Sequence, residues 1–132
     1  MKAEQTKLIY PQKDFPLLKK YQEVFKITPN TIFAYDHKIY TNNQLPKHLL
    51  VHEITHHEQQ DHYGLDEWVT RYLYDDKFRL NMEIDAYRNQ LKSIKDRNFR
   101  AKIWMESARN LSSSLYGNIV NYKEAMRLIK VK

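Results

Sequence analysis

The sequence predicts a mostly helical α+β domain, and three observations lead there. Apolar residues recur at three- and four-residue spacing through much of the chain, as half-buried helices require. Two short β-type runs, residues 31–35 and 38–41, flank a turn at Asp36-His37 and so predict one small hairpin towards the N-terminus. The 132 residues include only two glycines and four prolines, which leaves little room for long irregular or low-complexity segments. That length suits a single domain over residues 1–132, and no internal repeat is seen.

Each element has a local reason. Asp14 precedes Pro16, Leu17, Leu18, Tyr21, Val24 and Phe25, so a first helix is expected over 15–25 with Asp14 as its cap. Thr28-Pro29-Asn30 ends it, and the hairpin follows. Asn42-Asn43-Gln44 is turn-like and Pro46 suits a first helical turn, which predicts a second helix over 46–62 with Gly64 near its end. Leu49, Leu50, Val51 and Ile54 supply its apolar positions. Asp66 is placed to cap a helix carrying Trp68, Val69, Tyr72 and Leu73. After Asp75-Asp76 a long helix should run to residue 94, and another should span 99–111 with Ile103, Trp104 and Ala108. Residues 112–117 read as a loop. Asn121-Tyr122-Lys123-Glu124 has the pattern of a capping box for a last helix ending near residue 130.

The chemistry is concentrated in His52-Glu53-Ile54-Thr55-His56, an HExxH pattern. Four residues of α-helix turn through about 400°, so the two histidines sit one turn apart on one face. Both imidazoles can then reach one ion at about 2.0–2.1 Å. Glu53 flanks that ion and is placed to act as general base towards a water the ion activates. A catalytic zinc site usually has a third protein ligand, and two candidates stand out. His62 gives the metzincin spacing, but Gln59 occupies the position where that pattern needs a helix-breaking glycine. In an unbroken helix His62 lies about 240° around from His56 and cannot share its ion. The other candidate is Glu83. On a helix whose apolar stripe is Leu80, Ile84, Tyr87, Leu91 and Ile94, Glu83 falls about 60° off the stripe and Asp85 about 140° off. A carboxylate beside a buried stripe needs a partner, and a metal ion would be one.

These residues resemble the gluzincin branch of the zincin metallopeptidases. The likeness rests on His52-Glu53-Ile54-Thr55-His56 and on Glu83-Ile84-Asp85-Ala86-Tyr87, and spans roughly residues 48–62 and 80–87. The resemblance implies a zincin-like fold and Zn2+ held by His52, His56 and Glu83. It implies Glu53 as general base, and Ala86 as the small residue that lets two helices approach. The strand just before the metal helix, residues 38–41, could offer its edge to an extended protein or peptide substrate, a role the resemblance also implies for a strand near that helix. Larger gluzincins often carry an Asp one turn after the ligand Glu, where this chain has Tyr87. Tyr116, Tyr87, His57 and Tyr63 are the candidate oxyanion donors. Asp61, Asp66 and Asp85 are available to orient the ligand histidines. So short a chain has little material for a deep substrate cleft, which leaves as the alternative a zincin-derived binding or structural protein with little turnover, such as a phage or prophage component.

Composition sets the remaining bounds. Cysteine is absent, so any metal site must use histidine and carboxylate. No run approaches 18 apolar residues, and no membrane association is expected. Met1-Lys2-Ala3-Glu4-Gln5 lacks the apolar core of a signal peptide, so a cytoplasmic protein is expected. The net charge is +6, from 22 Lys and Arg against 16 acids. The basic residues are spread along helices with no nucleic-acid motif, so a solvated surface is expected in place of a nucleic-acid interface.

Overall fold

A computed structural model describes residues 8–132. The segment read above for the lack of a signal peptide lies outside the described residues. The chain is α+β and mostly helical. Strand β1 (Ile9–Tyr10) leads through a 3-10 turn to helix α1 (Leu18–Val24). The hairpin β2 (Phe33–Tyr35) and β3 (Lys38–Tyr40) follows. Five helices complete it: α2 (Lys47–Tyr63), α3 (Leu65–Tyr74), α4 (Asp76–Lys92), α5 (Arg97–Leu111) and α6 (Tyr122–Leu128). Among the described residues no helix is long and apolar enough to cross a membrane.

The sheet has the order β1-β3-β2, with β1 parallel and β2 antiparallel to β3. The sequence reading had no β1, because a two-residue strand carries no periodicity. Its parallel pairing also places β3 in the middle and leaves β2 as the edge beside α2. Asp36 and His37 both take positive φ, 52° and 62°, as a two-residue turn of the I′ type requires.

Three helix starts differ from expectation. Helix α1 begins at Leu18 and has no side-chain cap, since Asp14 is taken into the preceding 3-10 turn. Helix α3 starts directly after Gly64, whose φ of 91° ends α2 and opens α3, so Asp66 lies in the first turn and caps nothing. Asp96 caps α5 by accepting from Phe99 N at 2.8 Å, so α5 starts two residues early. Asp75 and Asn121 cap α4 and α6. The capping box of α6 is half formed: Glu124 turns to Arg127 instead of reaching back.

Two apolar clusters flank the long helices. Phe15, Tyr21, Phe25, Phe33, Trp68, Tyr72 and Phe78 pack on one side, with stacked and edge-on ring pairs such as Trp68 and Tyr72 at 4.6 Å. Tyr87, Leu91, Ile103, Leu111 and Ile129 pack on the other. Between them α2 lies against α4, with Ala86 fully buried at the contact. Here expectation is reversed. The buried face of α2 is His52, Glu53, Thr55, His56, His57, Gln59 and Gln60, while Leu49, Leu50 and Val51 are half-buried and Ile54 is exposed. Burying so much polar surface is tolerable only if it is hydrogen-bonded, and no buried side-chain nitrogen or oxygen lacks a partner among the described residues.

Arg79 ties the second half together. It is 3% exposed, donates to Tyr72 O at 2.7 Å and to Tyr116 O at 3.1 Å, pairs with Asp76, and lies over the Phe25 ring. Arg79→Leu keeps the bulk but strands those carbonyls, and should cost about 3 kcal/mol of stability. Urea unfolding checks this, and a midpoint shift worth less than about 1 kcal/mol would contradict it.

Candidate metal centre

Helix α2 delivers His52, Glu53 and His56, and α4 delivers Glu83. The Glu83 carboxylate spans both imidazoles: Oε1 lies 3.1 Å from His52 Nε2, and Oε2 lies 3.0 Å from His56 Nε2. Glu83 sits within the buried face of α4, 1% exposed, among Arg79, Met82, Ala86, Tyr87 and Gln90, while Leu80 and Ile84 of the apolar stripe are only half-buried. The face is set by contact with the polar side of α2, not by the apolar spacing of α4 alone.

The donor set fits a zinc-sized ion. Three ligands at about 2.0–2.1 Å in tetrahedral array would stand about 3.3–3.4 Å apart. The two imidazole–carboxylate distances of 3.0 and 3.1 Å are slightly below that. The three residues form a group whose ligand atoms all lie within 4.8 Å of one another. His62 is not brought to this site. Helix α2 runs on through Tyr63, and His62 is exposed with its ring against Tyr63.

The outer contacts aim both histidines inward. Gln59 uses its whole amide: Nε2 donates to Met82 O at 3.0 Å and to Asp85 Oδ2 at 3.1 Å. Those partners are acceptors, so Oε1 must face donors. It receives Trp68 Nε1–H at 3.2 Å and His56 Nδ1–H at 2.9 Å. His56 therefore carries a proton on Nδ1, and with no ion its Nε2–H donates to Glu83, so an ion bound there would take the place of the Nε2 proton. Gln90 repeats the arrangement, with Oε1 2.9 Å from His52 Nδ1 and Nε2 2.8 Å from His48 Nδ1. Tyr72 donates to Glu83 Oε2 at 2.6 Å.

Amides thus stand where the sequence reading looked for Asp61, Asp66 or Asp85. Asp85 is reached only through Gln59, Asp61 pairs with the exposed His37, and Asp66 is exposed in the first turn of α3. Gln59 was legible in principle, since it lies three residues after His56 on the same helical face. Tyr72, Trp68 and Gln90 had no such local signal.

Charge follows burial. Burial alone pushes Glu83 up, but the charge of His56 and the hydrogen bonds from both histidines overcome it and hold the carboxyl far below its usual range. His56 is likewise pushed down by burial, yet the Glu83 charge and hydrogen bond raise it to about 9. Glu53 is raised by burial, a shift that the charges of His52 and His56 oppose. A raised carboxyl holds a transferred proton more readily than an ordinary one.

A cavity of about 250 Å³ opens onto these residues. Ile32, Phe33 and Ala34 border one side, and Ile103, Ser107 and Tyr116 the other. Of the four candidate oxyanion donors, two reach it. Tyr87 packs its ring on His52 at 4.5 Å, and its hydroxyl lies 3.0 Å from that of Tyr116. His57 instead donates to Lys38 O at 2.8 Å, and Tyr63 packs on Phe78 outside the cavity. Gly117, at φ 93°, leaves room for Arg79 Nη2, which a Cβ would meet at 3.1 Å, and Arg79 then fixes the Tyr116 carbonyl.

No family model matches the chain, and no curated protein or solved structure matches it.

The metal-free protein should carry a pH signature. A raised His56 contributes stability that is complete below pH 6.5 and lost as pH climbs through about 9. A lowered Glu83 contributes stability present above pH 4.5 and lost in stronger acid. Chelated protein should therefore melt highest between these limits and several degrees lower at pH 9.5. Glu83→Gln should flatten the alkaline decline, and thermal melts across pH decide it.

Proposed function

We propose that this chain is a small zinc-dependent metallopeptidase, in which His52, His56 and Glu83 hold the ion and Glu53 is the general base. One observation carries the reading furthest: a buried His-His-Glu set, with Nε2 of each imidazole directed at one carboxylate, opens onto a cavity that Glu53 also lines. A zinc ion bound there would polarise the substrate carbonyl and lower the pKa of water towards about 7.

The chain's own residues account for the proton and the charge. Glu53 accepts the proton of the attacking water and returns it to the departing amide nitrogen as the C–N bond breaks. The hydroxyls of Tyr87 and Tyr116 lie 3.0 Å apart beside the cavity, Tyr87 also hydrogen-bonds with Asn110, and the donor in this reading is a hydroxyl proton of this pair. Directed at the developing oxyanion, that proton stabilises the charge without reorganisation. Gln59 and Gln90 hold the imidazoles in the ligating tautomer. The edge strand β2 borders the cavity and supplies backbone groups for an extended peptide.

A second reading has one observation in its favour. The cavity of about 250 Å³ is smaller than the roughly 300–1,000 Å³ of ordinary ligand sites. It suits a metal-holding binding or structural protein with little turnover.

Zinc content and cleavage of an unfolded protein separate the two. His52→Ala and Glu83→Ala should lose stoichiometric zinc, while Glu53→Gln keeps it and loses cleavage by about a thousandfold or more. Zinc bound as tightly in Glu83→Ala as in wild type would remove the third ligand. Tyr87→Phe and Tyr116→Phe should each lower kcat by about tenfold to a hundredfold with KM little changed. Cleavage that survives Glu53→Gln would discard the general-base role.

A further inference from the structure

We propose that Gln60 closes one end of the β2 edge, so that this protein takes peptides that are short on one side of the cleaved bond. The inference rests on the peptidase reading for the cleaved bond, but its central claim concerns how an extended peptide is held.

The hairpin register fixes which backbone groups are open. Tyr35 pairs with Lys38 across the two-residue turn, Ala34 with Ile39 and Phe33 with Tyr40. In such a ladder Phe33 and Tyr35 turn their N–H and C=O inward to β3, whereas Ile32, Ala34 and Asp36 turn theirs to the free edge. The outward groups nearest the turn are already paired. Gln60 Nε2 donates to Ala34 O at 2.8 Å, and Asp36 N donates to Gln60 Oε1 at 3.2 Å. Donating to one residue and accepting from the residue two further on is the bonding of a parallel strand residue set opposite Tyr35. One side-chain amide, itself 3% exposed, occupies the place where an added strand would continue.

Among the described residues, what remains open lies at the other end and borders the cavity: the N–H of Ala34 and both groups of Ile32. An extended peptide therefore finds one complete pair of bonds, at Ile32, and a single donor at Ala34. Past Ala34 it meets the Gln60 amide and no free edge. The hairpin cannot easily move aside, because His57 donates to Lys38 O at 2.8 Å and His37 bonds Asp61 at 2.8 Å, both tying it to α2. A peptide laid on this edge can extend freely in one direction only. The small cavity agrees with a short bound segment.

The test uses the full zinc-loaded chain and one cleavable peptide core rich in Leu and Phe, lengthened by one to four residues at its N-terminus or its C-terminus separately. Cleavage gives kcat/KM, and the zinc-loaded Glu53→Gln variant gives binding by fluorescence anisotropy. Lengthening beyond about two residues at one terminus should lower kcat/KM and affinity about tenfold, the worth of a lost backbone hydrogen bond and a clash. At the other terminus lengthening should be neutral or favourable. Gln60→Ala should narrow the difference between the termini to about threefold or less. If that variant fails to fold, the wild-type length series decides alone. Equal length dependence at both termini, or no peptide binding at all, overturns the inference. One-sided binding with no cleavage leaves the inference standing and sinks the peptidase reading instead.

Discussion

The fold depends on one buried carboxylate. Glu83 lies between two imidazoles and a tyrosine hydroxyl at the contact of α2 and α4, nearly sealed from solvent. An ionised carboxylate in such a place is sustained only by partners that match it. His52, His56 and Tyr72 are those partners, and each is positioned by further bonds of its own. The Gln59 amide reaches from His56 to Asp85 and Trp68, and the Gln90 amide from His52 to His48. The interface that holds the two longest helices together is thus a polar network with apolar clusters on either flank.

That inversion explains the site. A helix with an apolar inner face would pack tightly and present its histidines to solvent. Here the polar face is inside, so the histidines are oriented, buried and directed at one point. Ala86 permits the close approach, and Tyr87 closes over His52 from the same helix. The network is fully satisfied among the described residues, which makes it rigid as well as buried. Rigidity of this kind is what a metal or a developing charge requires, because the groups need not reorganise to meet it. The segment bearing Tyr116 is held to the same core by Arg79, so the opposite wall of the cavity is also fixed.

The sequence by itself determined the helix-rich α+β class, the hairpin turn and the run of helices with most of their breaks. Those follow from local chemistry: Gly64 with positive φ, Asp75 and Asn121 as caps, and Asp36-His37 in a tight turn. It also placed His52 and His56 one turn apart and set aside His62, because helical geometry is fixed once the helix is granted. The apolar spacing of α2 misled, since Leu49, Leu50, Val51 and Ile54 mark a face that stays half-covered or open. Periodicity reports where apolar residues lie, and it cannot report that a polar face has found partners across 20 or 30 residues of chain. Only the tertiary structure decided that. It chose the central place of Glu83, the amides in place of carboxylates behind the histidines, and β2 in place of β3 as the free edge. Each is a contact between segments far apart in sequence, and such contacts leave no local mark.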